Sequence, residues 1–251
     1  MEDYRFKEMV LRSLRSKMIK GIFPFEYSER TPETLRGILR NYELGKKLTF
    51  EQAERNVSNG TIEVISGKMD FRGLLYGTGV GVLLTKDGYF ITANHCLNDL
   101  PIRGIRYHNG MTFPIQKVCA RSVSEDIAIC KADIPGSSEP INYRFRDTER
   151  ISNESVSIYC RKFGEVVRRY GLIRQTTIYG EVKIEEGFRL NMDNYMEKMM
   201  DAVQGDSGSP IIDERFSLLG LVNAGTHHPG ITAAVKWNRA MQLVDFLRRS
   251  V

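Results

Sequence analysis

Cysteine, proline and tryptophan are scarce in this sequence. Of 251 residues, 4 are cysteine, 8 are proline and 1 is tryptophan. Cys96, Cys119, Cys130 and Cys160 form no close C-x-x-C pair, which argues against a zinc site. Their even number permits disulfides. The N-terminus, however, reads Met1-Glu2-Asp3-Tyr4-Arg5-Phe6, with early acids and no apolar core segment, so it is not a secretory signal. Reduced thiols in a cytoplasmic protein are the expectation. No run approaches the roughly 18 apolar residues a membrane span needs, so no membrane partner is expected. The net charge of +5 is spread along the chain rather than gathered in a basic stripe, and a nucleic-acid partner is not expected either. Nothing in the pattern asks for a metal or a cofactor.

What is present is enough for a core. Hydrophobic residues make up 41% and charged residues 27%, the balance of a globular chain. Residues 1–60 read as a helical extension of three short helices. Phe6, Met9, Val10, Leu14 and Met18 recur at helical spacing. Thr31-Pro32 reads as a helix start. Thr49-Phe50-Glu51-Gln52 fits a capping box, whose helix should end near Asn59-Gly60. From Thr61 the character changes to short strands broken by turns, predicted at 61–65, 77–84, 89–92, 104–107, 112–118, 127–132, 156–161, 166–176, 177–184, 188–192, 210–212, 218–222 and 231–235. Such a series suggests a sandwich or a barrel. Trp237, Ala240, Met241, Val244 and Leu247 then recur with helical period, predicting a C-terminal helix over 237–251.

The chemistry gathers in three stretches. Gln204-Gly205-Asp206-Ser207-Gly208-Ser209-Pro210 sets a serine between glycines, which allow a tight turn and close approach of a substrate. Such a serine is a nucleophile only where a base takes its proton. The same residues also build ordinary turns. Thr92-Ala93-Asn94-His95-Cys96 places a histidine at the end of a strand, and Glu125-Asp126-Ile127-Ala128-Ile129 places an acid at the mouth of another. Alone, each is uninformative.

Together, in the order His95, Asp126, Ser207 with intervals of 31 and 81 residues, they resemble the chymotrypsin/trypsin-like serine protease family. The resemblance covers about residues 60–251. It implies an all-β fold of two antiparallel β-barrels, over 61–140 and 150–236, with the C-terminal helix packed outside and the N-terminal helical extension beyond its reach. It implies Ser207 as nucleophile, His95 as base, Asp126 as the group that orients the imidazole, and the N–H groups of Gly205 and Ser207 as an oxyanion hole. Asp201, six residues before the serine, matches the floor of the primary pocket and implies cleavage of a protein substrate after Arg or Lys. Asn223, Gly225 and Gly230 match the pocket walls.

The sequence also departs from the family. Val203 stands where digestive members carry a cysteine, and Val80 stands near the position of the cysteine that would pair with Cys96. Asn223 replaces the serine beside the aspartate. Asn94 resembles HtrA-type proteases, though no PDZ module follows. In secreted members the carboxylate matching Asp206 pairs with an N-terminal amine freed by cleavage. No such start is visible near residues 50–60. Asp206 is thus a regulatory candidate needing another partner, such as a lysine, an arginine or a backbone amide, and residues 1–60 are a candidate regulatory or partner-docking segment. Two other functions share these residues: a catalytically silent scaffold with a protease fold, and a viral or phage maturation protease.

Overall fold

The computed structural model describes residues 49–70, 73–97, 102–123, 125–134, 144–145, 154–175, 195–199, 203–225, 231–237 and 240. The first element is a helix, α1 (Phe50–Gly60). It opens on the expected capping box: Gln52 N–H donates to Thr49 Oγ1 at 3.3 Å, and Thr49 N–H donates to Gln52 Oε1 at 3.0 Å. It ends where the Thr61 hydroxyl donates back to Val57 C=O at 2.7 Å and the chain turns extended. No described helix is long and apolar enough to cross a membrane.

Six strands follow and close on themselves: β1 (Thr61–Asp70), β2 (Gly73–Leu83), β3 (Tyr89–Ala93), β4 (Ile102–Arg106), β5 (Thr112–Ser122) and β6 (Ile127–Ala132), in the order β1-β2-β3-β6-β5-β4 with every pair antiparallel. Closure removes the unpaired edges that an open sheet exposes. Inside sit Ile62, Val64, Leu83, Phe90, Ile105, Ala128 and Cys130, all buried. Truncating Phe90 to alanine there should cost about 3–5 kcal/mol.

Among the described residues the second half is a sheet of seven strands. They are β7 (Arg144–Phe145), β8 (Glu154–Lys162), β9 (Glu165–Gln175), β10 (Tyr195–Met199), β11 (Pro210–Asp213), β12 (Ser217–Gly225) and β13 (Ile231–Lys236), in the order β11-β8-β9-β10-β13-β12-β7 with a further β11–β12 pairing. Its core includes Val156, Ile158, Cys160, Ile211, Leu219 and Val222. Val80 of β2 also belongs to this second core, although its strand is part of the first barrel. Residues 80–83 are accordingly buried on both faces and read as a nearly continuous apolar run.

Strands β7 and β10 were not legible in the sequence, and several others run one to five residues longer than expected. The helices expected before residue 49, the strands expected at 177–184 and 188–192, and the terminal helix beyond Ala240 lie outside the described residues. Trp237 and Ala240 are helical and buried.

Candidate active site

His95 sits in a 3-10 turn, Asn94–Cys96, directly after β3. The apolar strand Tyr89–Ala93 is fully buried and anchors that turn. Asp126 lies just before β6, which pairs with β3 in the register Ala93↔Ile127. Neighbouring strands therefore deliver the imidazole and the carboxylate to one place. The Asn94 N–H donates to Asp126 C=O at 3.0 Å and closes the gap between them.

The carboxylate grips the histidine twice. Asp126 Oδ1 accepts the His95 backbone N–H at 2.8 Å, and Oδ2 lies 2.6 Å from His95 Nδ1. The second contact places the proton on Nδ1 and leaves Nε2 as the basic nitrogen. Asp126 is 5% exposed and holds φ at 51°, a left-handed conformation that non-glycine residues seldom adopt. The bonds around it maintain that strain. Burial lowers the His95 pKa, but the hydrogen bond to Asp126, the neighbouring Cys96 and the charge of Asp126 together outweigh it and raise the pKa above the ordinary 6.5, to about 11.

Asn223, from β12, reaches across from the second half. Its Nδ2 donates to Asp126 C=O at 2.8 Å, to Asp126 Oδ2 at 3.2 Å and to Glu125 C=O at 3.3 Å. All three acceptors are oxygens, which fixes the orientation of the amide. The asparagine that replaces the family's serine thus still donates to the aspartate.

Ser207 lies in the loop before β11. Both flanking glycines take positive φ, 92° at Gly205 and 86° at Gly208. A Cβ on Gly208 would collide with the Val80 carbonyl, so only glycine fits. The loop is tied down on several sides. Val80 N–H donates to Ser207 C=O at 2.7 Å, Gly208 N–H to Val222 C=O at 2.5 Å, Ser209 N–H to Asp206 C=O at 3.0 Å, and Asp206 N–H to Val203 C=O at 3.0 Å. The amides of 206, 208 and 209 are therefore spent inside the protein. Those of Gly205 and Ser207 have no acceptor among the described residues. Two unspent N–H groups flanking a hydroxyl are the donors that an oxyanion needs.

The Ser207 hydroxyl donates to Asn223 C=O at 3.4 Å and is not bonded to His95. Catalytic hydrogen bonds of this kind often tighten only when substrate is bound. The Ser207 carbonyl also faces Cys96 Sγ at 3.5 Å, next in sequence to the histidine. The residue opposite Cys96 is Gly79, whose added Cβ would strike Cys96 Sγ. Gly79, rather than Val80, occupies the place of a pairing cysteine. The four cysteines are free.

Asp206 is fully buried. Its partners come from the hairpin of β8 and β9: Arg169 Nη1 lies 2.6 Å from Oδ2, and Lys162 Nζ lies 3.1 Å from Oδ1. Val203 N–H adds a third contact, to Oδ2 at 2.8 Å. The sequence could name the kinds of partner but not these residues, because strand pairing brings them from 37 and 44 positions away. Asp201 and Gly230 lie outside the described residues. Gly225 ends β12, pairing with Thr232. Among the described residues no group of side chains could hold a metal ion.

Comparison with known proteins places the fold. The family model described as "Trypsin-like peptidase domain" matches residues 77–221, more than half of the chain and the span that carries His95, Asp126 and Ser207. The chain is 21% identical over 248 residues to the serine endoprotease DegS of Salmonella typhimurium, covering 96% of this chain and 64% of that protein. It thus spans somewhat less than two thirds of that relative's length. A crystal structure of the serine endoprotease from Yersinia pestis superposes with a TM-score of 0.62 at 20% identity, covering 80% of this chain and 67% of the other. At that identity the likeness shows the fold. The chain belongs to the trypsin-like peptidase domain family.

Proposed function

We propose that this chain is a serine endopeptidase that cleaves protein substrates through an acyl-enzyme. Ser207 attacks the scissile carbonyl. His95 takes its proton at Nε2 and returns it to the leaving amine. Asp126 holds the imidazole in the right tautomer and stabilises the imidazolium. The amides of Gly205 and Ser207 receive the negative charge of the tetrahedral intermediate. The observation that carries this reading is the double grip of Asp126 on His95, at 2.8 and 2.6 Å, in a fold that leaves the two amides beside Ser207 unspent.

In the finer reading the second half is a second barrel. The return pairing of β11 with β12 supports this, since it joins the two ends of the β11-β8-β9-β10-β13-β12 series. Cleavage after Arg or Lys rests on Asp201 as the pocket floor, with Asn223, Gly225 and Gly230 at its walls, and follows from the family resemblance. Residues 1–60 would be a regulatory or docking extension. Two features of α1 support attachment to the second half: Glu54 pairs with Arg168 Nη1 at 3.1 Å, and the Phe50 ring meets that of Phe216 at 4.9 Å. One observation favours a catalytically silent scaffold instead, namely that the Ser207 hydroxyl is turned to Asn223 C=O.

A peptide library incubated with the purified chain tests the proposal. Cleavage after Arg or Lys, abolished in Ser207→Ala and weakened for basic residues in Asp201→Ser, is the expected result. Undiminished cleavage by Ser207→Ala would overturn the protease assignment. An unaltered profile in Asp201→Ser would overturn the pocket alone.

A further inference from the structure

The loop before Ser207 holds one peptide whose direction matters more than any side chain near it, that between Gln204 and Gly205. The C=O and N–H of a peptide point in opposite directions. Here the Gln204 carbonyl accepts from Lys162 Nζ at 2.9 Å, which turns the Gly205 N–H the other way. Glycine at 205 would let this peptide rotate at little steric cost, so its direction has to be imposed from outside. Among the described residues Lys162 is the group that holds the Gln204 carbonyl. The same ammonium lies 3.1 Å from Asp206 Oδ1, so one side chain binds the loop on both sides of Gly205.

Lys162 is itself held. It ends β8, and the turn after it, Phe163-Gly164, takes φ of 53° and 89°, two successive left-handed residues as in a tight two-residue hairpin. Around that turn the first half of the molecule closes a polar clamp. Arg161, 3% exposed, donates from Nε to Thr61 C=O at 2.6 Å, from Nη2 to Ser58 C=O at 2.5 Å and from Nη1 to Gly164 C=O at 2.6 Å. Glu63 of β1, 1% exposed, pairs with Arg106 Nη1 at 2.9 Å. Burial pushes the Glu63 carboxyl up, while Arg106 and the backbone amides of Phe163 and Gly164 oppose the rise. A Cβ on Gly164 would lie 4.0 Å from Arg106 Cδ, so the hairpin tip sits beside the Glu63–Arg106 pair.

We propose that Lys162 is a positioning residue for the reaction, and that the β8–β9 hairpin, clamped at its tip by Glu63 and Arg161, sets the oxyanion hole by fixing the Gln204–Gly205 peptide. This rests on the reading of Gly205 N–H as an oxyanion donor. Asp206 and its arginine hold the loop in place, and Lys162 chooses the direction of the peptide within it.

The test pairs crystal structures with steady-state kinetics on a peptide substrate, for Lys162→Met and Lys162→Arg. In Lys162→Met the Gln204 carbonyl should leave its present direction, and kcat should fall about 10²-fold, the usual cost of one oxyanion donor, while KM changes little. Lys162→Arg should keep the peptide and return kcat to within about threefold. Glu63→Gln, which loosens the clamp from a distance, should lower kcat by a smaller factor with the same indifference in KM. Should Lys162→Met fold poorly, Lys162→Gln supplies the same readout. An unmoved 204–205 peptide with unchanged kcat in Lys162→Met overturns the proposal. A wild-type chain that cleaves nothing would instead sink the protease reading, and the peptide direction in Lys162→Met would still decide this one.

Discussion

Each half of the molecule contributes a buried aspartate to the site, and the two keep opposite company. Asp126 sits between a titratable imidazole and neutral N–H donors, His95 and Asn223. Asp206 sits between two permanent cations, Arg169 and Lys162, with one backbone amide. The difference sorts their roles. A carboxylate facing an imidazole can stabilise a charge that appears and vanishes during a reaction. A carboxylate paired with arginine and lysine and bonded to the Val203 amide holds its loop in place.

The comparison can be broken at several points. The largest effect is expected at the residues that Asp126 serves. His95→Ala should lower kcat by about 10⁴-fold or more, and Asp126→Asn by about 10⁴-fold, since it leaves the proton on the wrong nitrogen. Single-turnover kinetics on a peptide ester would measure both. An Asp126→Asn enzyme as fast as wild type would remove the carboxylate from the mechanism.

A mutation on the other side should act mainly on stability. Arg169→Ala leaves Asp206 buried with Lys162 as its one cation and the Val203 amide. The expected loss is about 3 kcal/mol, the low end for a broken buried pair because the arginine is partly exposed. Urea unfolding would read it. A stability change near zero would mean that Lys162 suffices.

The imidazole that Asp126 holds should also make the site respond to pH. The His95 pKa is raised in the folded chain. Stabilisation from the His95–Asp126 pair is therefore fully present below pH 6.5 and is lost as pH rises through the raised value. Activity runs the other way, because the base must be neutral: kcat/KM should climb with pH through a midpoint above 6.5. A kcat/KM profile measured beside thermal unfolding across that range should show the two trends opposed. A midpoint below 6.5 would mean that burial, not Asp126, dominates at His95.

The smallest effect is expected at Asn223, which touches the aspartate without touching the imidazole. Asn223→Ala removes its bonds to Asp126 and Glu125. A fall in kcat of about tenfold is expected, from a hydrogen bond to a charged group worth about 1.5 kcal/mol. An effect as large as that of Asp126→Asn would place Asn223 among the groups that set the tautomer.

The sequence made some of this legible and not the rest, for physical reasons. The strands around His95 and Asp126 could be read because a buried strand needs consecutive apolar residues, as at Tyr89–Ala93 and Ile127–Ala132. The capping box at Thr49 could be read because its contacts lie three residues apart. The partners of Asp206 could not, since Lys162 and Arg169 look like any solvated bases until β8 and β9 fold back to the loop. The same holds for Glu63, which reads as the polar member of an alternating strand but is buried between the barrel and the hairpin tip. Asn223 could be placed near the aspartate by resemblance, whereas its actual donors and acceptors required the fold.

Everything above turns on Ser207 being a nucleophile made reactive by His95 and Asp126. Labelling the intact chain with a fluorophosphonate and locating the adduct by mass spectrometry tests it most directly. One adduct is expected, on Ser207, formed far more slowly in His95→Ala. An unlabelled wild-type chain, or an adduct elsewhere, would contradict it.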